Sequence, residues 1–303
     1  MPWRSVVSSS WLRARASAGS AVQVIDASWH LPATGRDARA EFARERIPGA
    51  KYFDLDECVA PSPLPHMMPH PKALGRYLAG IGLRSDLPTV VYDASDDGIF
   101  SSARLWWMLR AVGMKEVAVL AGGLKNWKAN ELELDTTQPS APEPAAEEGF
   151  AVEEQPGRFI SAEQVLKVVQ ANQAGDFSTV IIDARSAARF KGEVPEARPG
   201  VQSGHIPCSI NIPYTKVLTE TGMVRHANEI LSFLATEAHI DLSSPPQRLI
   251  FSCGSGVTAC VPLLALHHRF NIPLEHCTVY DGAWTEWGAV ENNFPIAGPS
   301  SAS

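Results

Sequence analysis

The sequence predicts an α/β protein built from two tandem copies of one domain, each a parallel sheet covered by helices on both faces. Three observations predict it. A series of short motifs recurs in the same order half a chain later, the strand-like runs are apolar at every position, and helical patterns separate them. Strands apolar on both sides of the pleat belong to sheets buried on both faces, and intervening helices make such sheets parallel.

The repeat sets the domain plan. Val24-Ile25-Asp26-Ala27 returns as Ile181-Ile182-Asp183-Ala184, Ile47-Pro48 as Ile206-Pro207, and Val91-Tyr92-Asp93 as Phe251-Ser252-Cys253. Gly122 with Trp127 returns as Gly282 with Trp287. A period this long is a duplicated domain, not a solenoid of short units. Thr136 to Gly157 holds four prolines, five glutamates and little apolar periodicity, the composition of a linker. The boundaries are therefore residues 1–138 for the first domain, 139–157 for the linker and 158–303 for the second domain.

Along the first copy, the opening 25 residues carry Arg4, Arg13, Arg15, six serines and no acid before Asp26. That is transit-peptide composition. Val7–Leu12 followed by Val22–Asp26 also reads as a capped helix leading into a strand, and the domain reading is preferred. Strands follow at Val22–Ile25, Thr89–Tyr92 and Val117–Leu120, with helices at Ala73–Ile81 and Ser101–Val112. In the second copy the helices are Ala162–Asn172, Glu229–His239 and a run from Ala259 onward. Its strands are Thr179–Ile182, Arg248–Ser252 and Thr278–Tyr280.

Composition narrows the function. In 303 residues, 26 Lys plus Arg against 33 Asp plus Glu leave a net charge of −7, with no basic block. Nucleic acid and anionic membrane surfaces are set aside as partners. The richest apolar run, Val257–Leu266, is broken by Thr258 and Pro262 and is too short for a membrane span. Five cysteines (Cys58, Cys208, Cys253, Cys260, Cys277) are an odd, sparse set without a Cys-x-x-Cys pair. They point to reduced thiols in a reducing compartment, assigned as cytoplasmic with mitochondrial import left open by the N-terminus. No metal site and no cofactor is expected.

The chemistry is concentrated at one place. The strand Arg248–Ser252 runs directly into Cys253-Gly254-Ser255-Gly256-Val257-Thr258 and then into an apolar helical pattern. Two glycines within three residues let the loop turn tightly, so that main-chain N–H groups converge with the unpaired donors of the next helix. Such a cradle favours an anion and hence a thiolate nucleophile. The other four cysteines read as small buried hydrophobes. A phosphate-ester hydrolase would need an arginine six residues after the cysteine to clamp phosphoryl oxygens, and that position is Ala259. Sulfur transfer needs only the thiolate and a cradle for the persulfide that it becomes.

These residues resemble the tandem-domain sulfurtransferases of the rhodanese-like family. The resemblance runs from Asp26-Ala27-Ser28-Trp29 through Tyr92-Asp93-Ala94-Ser95-Asp96 and Gly204-His205-Ile206-Pro207 to Tyr280-Asp281-Gly282-Ala283-Trp284. It implies two rhodanese-like domains, the first non-catalytic because Asp93 stands where the second has Cys253, and walling the cleft opposite it. The loop Cys253 to Thr258 is similar to that of the branch using 3-mercaptopyruvate, whereas in the thiosulfate branch the two positions after the cysteine are basic. The resemblance gives Arg189 and Arg198 the substrate carboxylate, a role suited to a planar guanidinium that can hold both oxygens. Gly254, Gly256, Val257 and Thr258 complete the substrate-binding loop.

The resemblance further implies a Cys253 persulfide, a proton-relaying triad of Ser255, His66 and Asp56, and a thiol acceptor such as thioredoxin, with cyanide serving in vitro. Thiosulfate as donor and a non-catalytic protein-binding scaffold are the alternatives. Two positions depart from the family pattern. Cys208 stands where glycine is usual, so a left-handed backbone there would be strained. Pro262 lies early in the helix after the loop, harmless only within the unpaired first turn.

Overall fold

The computed structural model describes residues 3–140, 150–236 and 248–298. They form two compact units. The first comprises the chain up to Pro61, Met68–Gln155 and Leu218–Val224; the second comprises Ser62–Met67, Pro156–Val217 and the chain from Arg225.

The first unit runs β1 (Val6–Val7), α1 (Ser9–Ser17), β2 (Gln23–Asp26), α2 (Ala38–Arg44), β3 (Lys51–Tyr52), α3 (Pro71–Gly80), β4 (Thr89–Tyr92), α4 (Ser102–Ala111), β5 (Val117–Leu120) and α5 (Gly123–Ala129). Its five strands are all parallel, in the order β1-β5-β4-β2-β3. The second unit runs β6 (Phe159–Ile160), α6 (Ala162–Gln173), β7 (Thr179–Asp183), α7 (Ala187–Phe190), β8 (Ser209–Asn211), α8 (Ala227–Thr236), β9 (Arg248–Ser252), α9 (Cys260–Phe270), β10 (Cys277–Tyr280) and α10 (Ala283–Trp287). Its parallel order, β6-β10-β9-β7-β8, matches the first place for place. The duplication is thus topological as well as sequential.

Burial explains why the inner strands read as unbroken apolar runs. β4, β5 and β10 are buried at every position, and β9 at all but its first. Helices cover them on both faces, which leaves no solvated side to alternate toward. α4 buries Trp106 and Trp107 completely, and α9 buries every residue from Cys260 to Leu266. α9 therefore lacks a polar stripe in its buried length, whereas α4 buries Ser102 and Arg104 among its apolar residues.

The starts of the two copies are alike. Ser8 caps α1 by accepting the Trp11 N–H at 3.2 Å, and Ser161 and Gln164 form a capping box on α6. Such caps are worth about 1 kcal/mol each. Val6 to Asp26 is accordingly built into the first unit as strand, helix and strand. α8 starts at Ala227, ahead of the expected Glu229, and residues 237–239 of that expected helix lie outside the described residues.

Of the stretch read as a linker, 141–149 lies outside the described residues. The part after it is packed: Phe150 is buried, and the N–H groups of Glu153 and Gln155 bond the carbonyls of Val112 and Ala111 at 3.0 and 2.8 Å. Pro262 is the third residue of α9, inside the first turn, where its missing N–H removes no helix bond. Cys208 does adopt a left-handed backbone, φ 62°, at the place where the first copy has Gly49 at φ 73°. Among the described residues, no helix is long and apolar enough to cross a membrane.

Candidate active site

The strand order of the second unit locates the site. β7 and β9 are neighbours from which the chain departs in opposite directions, β7 toward β8 and β9 toward β10. The crevice beyond the carboxyl ends of such a pair is where open α/β sheets bind ligands. Cys253 leaves the end of β9 there, and Asp183 pairs in register with Ser252 at the end of β7.

The loop after Cys253 is held from two sides. The Trp284 N–H donates to the Cys253 carbonyl and the Thr285 N–H to the Gly254 carbonyl, both at 3.0 Å. The Thr285 hydroxyl donates a second bond to the Gly254 carbonyl at 2.6 Å. Gly256 takes φ 77°, a left-handed turn that glycine adopts without strain. Val257 is buried, and its carbonyl and that of Thr258 receive the Cys260 and Val261 N–H groups at 3.3 and 3.1 Å, which starts α9. Cys253 itself is 2% exposed.

The first copy carries Asp93 where the second has the cysteine. The Asp93 carboxylate accepts three main-chain N–H groups, from Ser95 at 3.0 Å, Phe100 at 2.9 Å and Ser102 at 2.8 Å. Burial raises its pKa, and those hydrogen bonds pull it back. In the first copy the strand-to-helix turn thus gathers amides around a carboxylate of the chain's own.

Arg189 stands at the end of a buried ladder of alternating charge. Arg185 bonds Asp183 bidentately and reaches the Gly204 carbonyl at 2.8 Å and Glu196 Oε1 at 2.9 Å. Its guanidinium carbon lies 4.2 Å above the Trp284 ring. Glu196 in turn takes the Arg189 guanidinium through Nε at 3.2 Å and through Nη2. Burial works against the Arg189 charge, but the Glu196 carboxylate, with Cys253 and Asp183 adding at longer range, holds its pKa above the ordinary arginine value. Arg198 is shifted the other way: burial lowers it, the Arg189 charge lowers it further, and Cys253 and Glu196 oppose. Both arginines therefore lie within electrostatic reach of the cysteine.

Gly254 is where the arginines and the loop meet. A Cβ at this position would lie 3.2 Å from Arg189 Nη2, so the missing side chain gives the guanidinium its room. Arg198 Nη1 donates to the Thr285 hydroxyl at 2.5 Å.

His66 belongs to this unit by packing, although its sequence neighbours beyond Ser62–Met67 belong to the other. It is buried, adopts φ 59°, and places Nδ1 3.1 Å from Ser255 Oγ. Asp56 is part of the first unit, where its Oδ2 accepts the Trp29 indole N–H at 3.0 Å. The second unit thus gathers Cys253, Ser255, His66, Arg189 and Arg198. Glu196 and Thr285, which bond Arg189 and Arg198, carry no signal in the sequence; Arg185 would be flagged only by lying two residues after the strand-end Asp183.

Comparison with known proteins gives the chain its family. The model of the rhodanese-like domain matches residues 8–130 and again 162–290. Human 3-mercaptopyruvate sulfurtransferase is 38% identical over 94% of this chain and 92% of its own length. Rat thiosulfate sulfurtransferase is 37% identical over 94% and 92%. The crystal structure of SseA from Escherichia coli, a 3-mercaptopyruvate sulfurtransferase with the rhodanese fold, superposes with a TM-score of 0.78 at 34% identity, covering 93% of this chain and 99% of that one.

Proposed function

The chain belongs to the rhodanese-like family, whose domain it carries twice, and on that footing we propose that it moves the thiol sulfur of 3-mercaptopyruvate, as the sulfane sulfur of a Cys253 persulfide, to a thiol or cyanide. One observation carries the choice of donor. The two positions after Cys253 are the uncharged Gly254 and Ser255, and the cations come instead from Arg189 and Arg198, outside the loop. A small dianion gains from charge beside the sulfur, whereas mercaptopyruvate carries its single charge on a carboxylate several bonds away.

The steps follow from that placement. Arg189 and Arg198 grip the carboxylate and keto oxygen, which points the substrate sulfur at Cys253. The Cys253 thiolate attacks that sulfur; the S–S bond forms as the C–S bond breaks, and its electron pair leaves on carbon as the pyruvate enolate. The proton of the substrate thiol ends on that carbon, so the products are pyruvate and a Cys253 persulfide anion. The loop amides of Gly254 to Thr258 stabilise the charge as it develops, an effect of about 3 kcal/mol per well-aimed donor in other enzymes. Ser255 and His66 relay the proton. An acceptor thiol, such as that of thioredoxin, then takes the outer sulfur and returns the thiolate; cyanide does the same and leaves as thiocyanate.

All five cysteines are free thiols, which suits a reducing compartment, assigned as cytoplasmic with the mitochondrion as alternative. Thiosulfate is the second donor to be weighed, because thiosulfate sulfurtransferases are nearly as similar to the chain. Pyruvate release from mercaptopyruvate, and thiocyanate formation from thiosulfate plus cyanide, should be measured for the native protein and for Cys253→Ser. We expect the first activity to dominate and both to vanish in the variant; equal or greater thiosulfate activity overturns the choice of donor.

A further inference from the structure

We infer that Thr285 is a positioning residue for the donor, a hydroxyl relay that sets the Arg198 guanidinium against the catalytic loop. The inference rests on the sulfur-transfer reading above and concerns how one of its two arginines is held.

The geometry leaves a single hydrogen-bond polarity. Arginine has donors and no acceptor, so the 2.5 Å contact runs from Arg198 Nη1 to the Thr285 oxygen. The hydroxyl then has one proton left, and the Gly254 carbonyl lies 2.6 Å away to receive it. The relay is therefore directed, Arg198 N–H to Thr285 Oγ1–H to Gly254 carbonyl. Its first bond is charge-assisted, and a β-branched side chain is stiff at χ1, so the oxygen is fixed in place.

The two arginines are held by different means. Arg189 has a buried carboxylate, Glu196. Among the described residues Arg198 has no carboxylate within ion-pair distance, and its guanidinium bond is to Thr285. A neutral anchor orients the group while leaving its charge for a substrate carboxylate; a glutamate at that place would neutralise it. Thr285 also binds Gly254 by its main-chain N–H at 3.0 Å, so the hydroxyl can be lost while the loop stays tied. This separation makes the role testable.

Pyruvate release should be measured against 3-mercaptopyruvate concentration for the full-length native protein, Thr285→Val, Thr285→Ser, Arg198→Ala and the double variant Thr285→Val/Arg198→Ala. Losing one hydrogen bond to a charged group predicts a roughly tenfold rise in KM for mercaptopyruvate in Thr285→Val, with kcat and the KM for cyanide within about twofold of native. Thr285→Ser keeps the hydroxyl and should restore the native KM. In the Arg198→Ala background, Thr285→Val should add nothing further. An unmoved KM in Thr285→Val, or a shift undiminished on Arg198→Ala, overturns the relay. Thr285→Ala carries the same expectations if the valine variant does not fold. Absence of pyruvate release from the native protein overturns the donor reading itself, whereas native release with an unmoved variant KM removes only the role of Thr285.

Discussion

His66 Nδ1 stands 3.1 Å from Ser255 Oγ, a contact made across 189 residues of sequence. The histidine reaches it in a left-handed backbone, φ 59°, while almost fully buried. A residue other than glycine held in that region costs on the order of 1 kcal/mol, a cost that persists only where surrounding structure imposes it.

If the pair relays a proton, His66→Ala and Ser255→Ala should each lower kcat with mercaptopyruvate by roughly 100-fold, the lower end of the range for positioned acid–base groups. The double variant should fall little further, because residues acting as a unit lose their effect together. Steady-state kinetics of the three proteins decides the matter, and native kcat in either single variant removes the relay.

Glu196 lies buried between Arg185 and Arg189, with 4% of its side chain exposed. Glu196→Gln keeps the shape and removes the charge, which leaves two guanidinium groups facing a neutral amide. Removing one partner of a buried ion pair is strongly destabilising; with the amide retaining part of the hydrogen bonding, about 2 kcal/mol of stability should be lost. Arg189 should also lose its orientation, raising KM for the donor several-fold. Thermal melting and donor titration of the variant test the two effects separately.

The nucleophile was legible because its setting is local: a buried strand, a glycine-bracketed loop and a helix stand next to one another in sequence. Much of its environment was not. Arg185 and Glu196 sit in a charged stretch that reads as solvated surface, and only the fold carries their side chains to 0% and 4% exposure. The edge strands β1, β3 and β6 are two residues each, too short to leave any periodicity. The helix α9 was readable because its first seven residues are apolar, a pattern that local sequence carries in full. His66 gave no local sign of Ser255, since proximity across so long a separation is a property of tertiary packing.

The repeat supplies a control for the backbone of Cys208. Gly49, at the matching place, has φ 73° and open space where a Cβ would point, and Cys208 has φ 62° with an exposed side chain. Cys208→Gly should therefore relieve strain without loss of packing, gaining up to about 1 kcal/mol, while Gly49→Ala should lose a similar amount. Urea midpoints for both variants check the opposite signs; the same sign for both would show that left-handed strain is not what distinguishes the two sites.

Asp26 and Asp183 end equivalent strands with different partners. Asp183 has the Arg185 guanidinium, whereas Asp26 has the N–H of Ser28 at 2.8 Å and the Ser28 hydroxyl. Among the described residues no cation is paired with Asp26, and desolvation raises its pKa to about 6 against an ordinary value of 3.8, the hydrogen bonds from Ser28 opposing. Between those values the folded state holds more protons than the unfolded chain, so this group's contribution is intact at low pH and is lost as pH rises through 6. Every tenfold difference in proton affinity between the folded and unfolded states corresponds to about 1.4 kcal/mol, so the native protein should lose on the order of 3 kcal/mol relative to Asp26→Asn between about pH 4 and pH 7. The asparagine keeps an oxygen for Ser28 but has no charge to desolvate. Unfolding by urea across that range, with the stability difference between the two proteins taken at each pH, gives the result; a difference independent of pH would show that Asp26 does not titrate in this window.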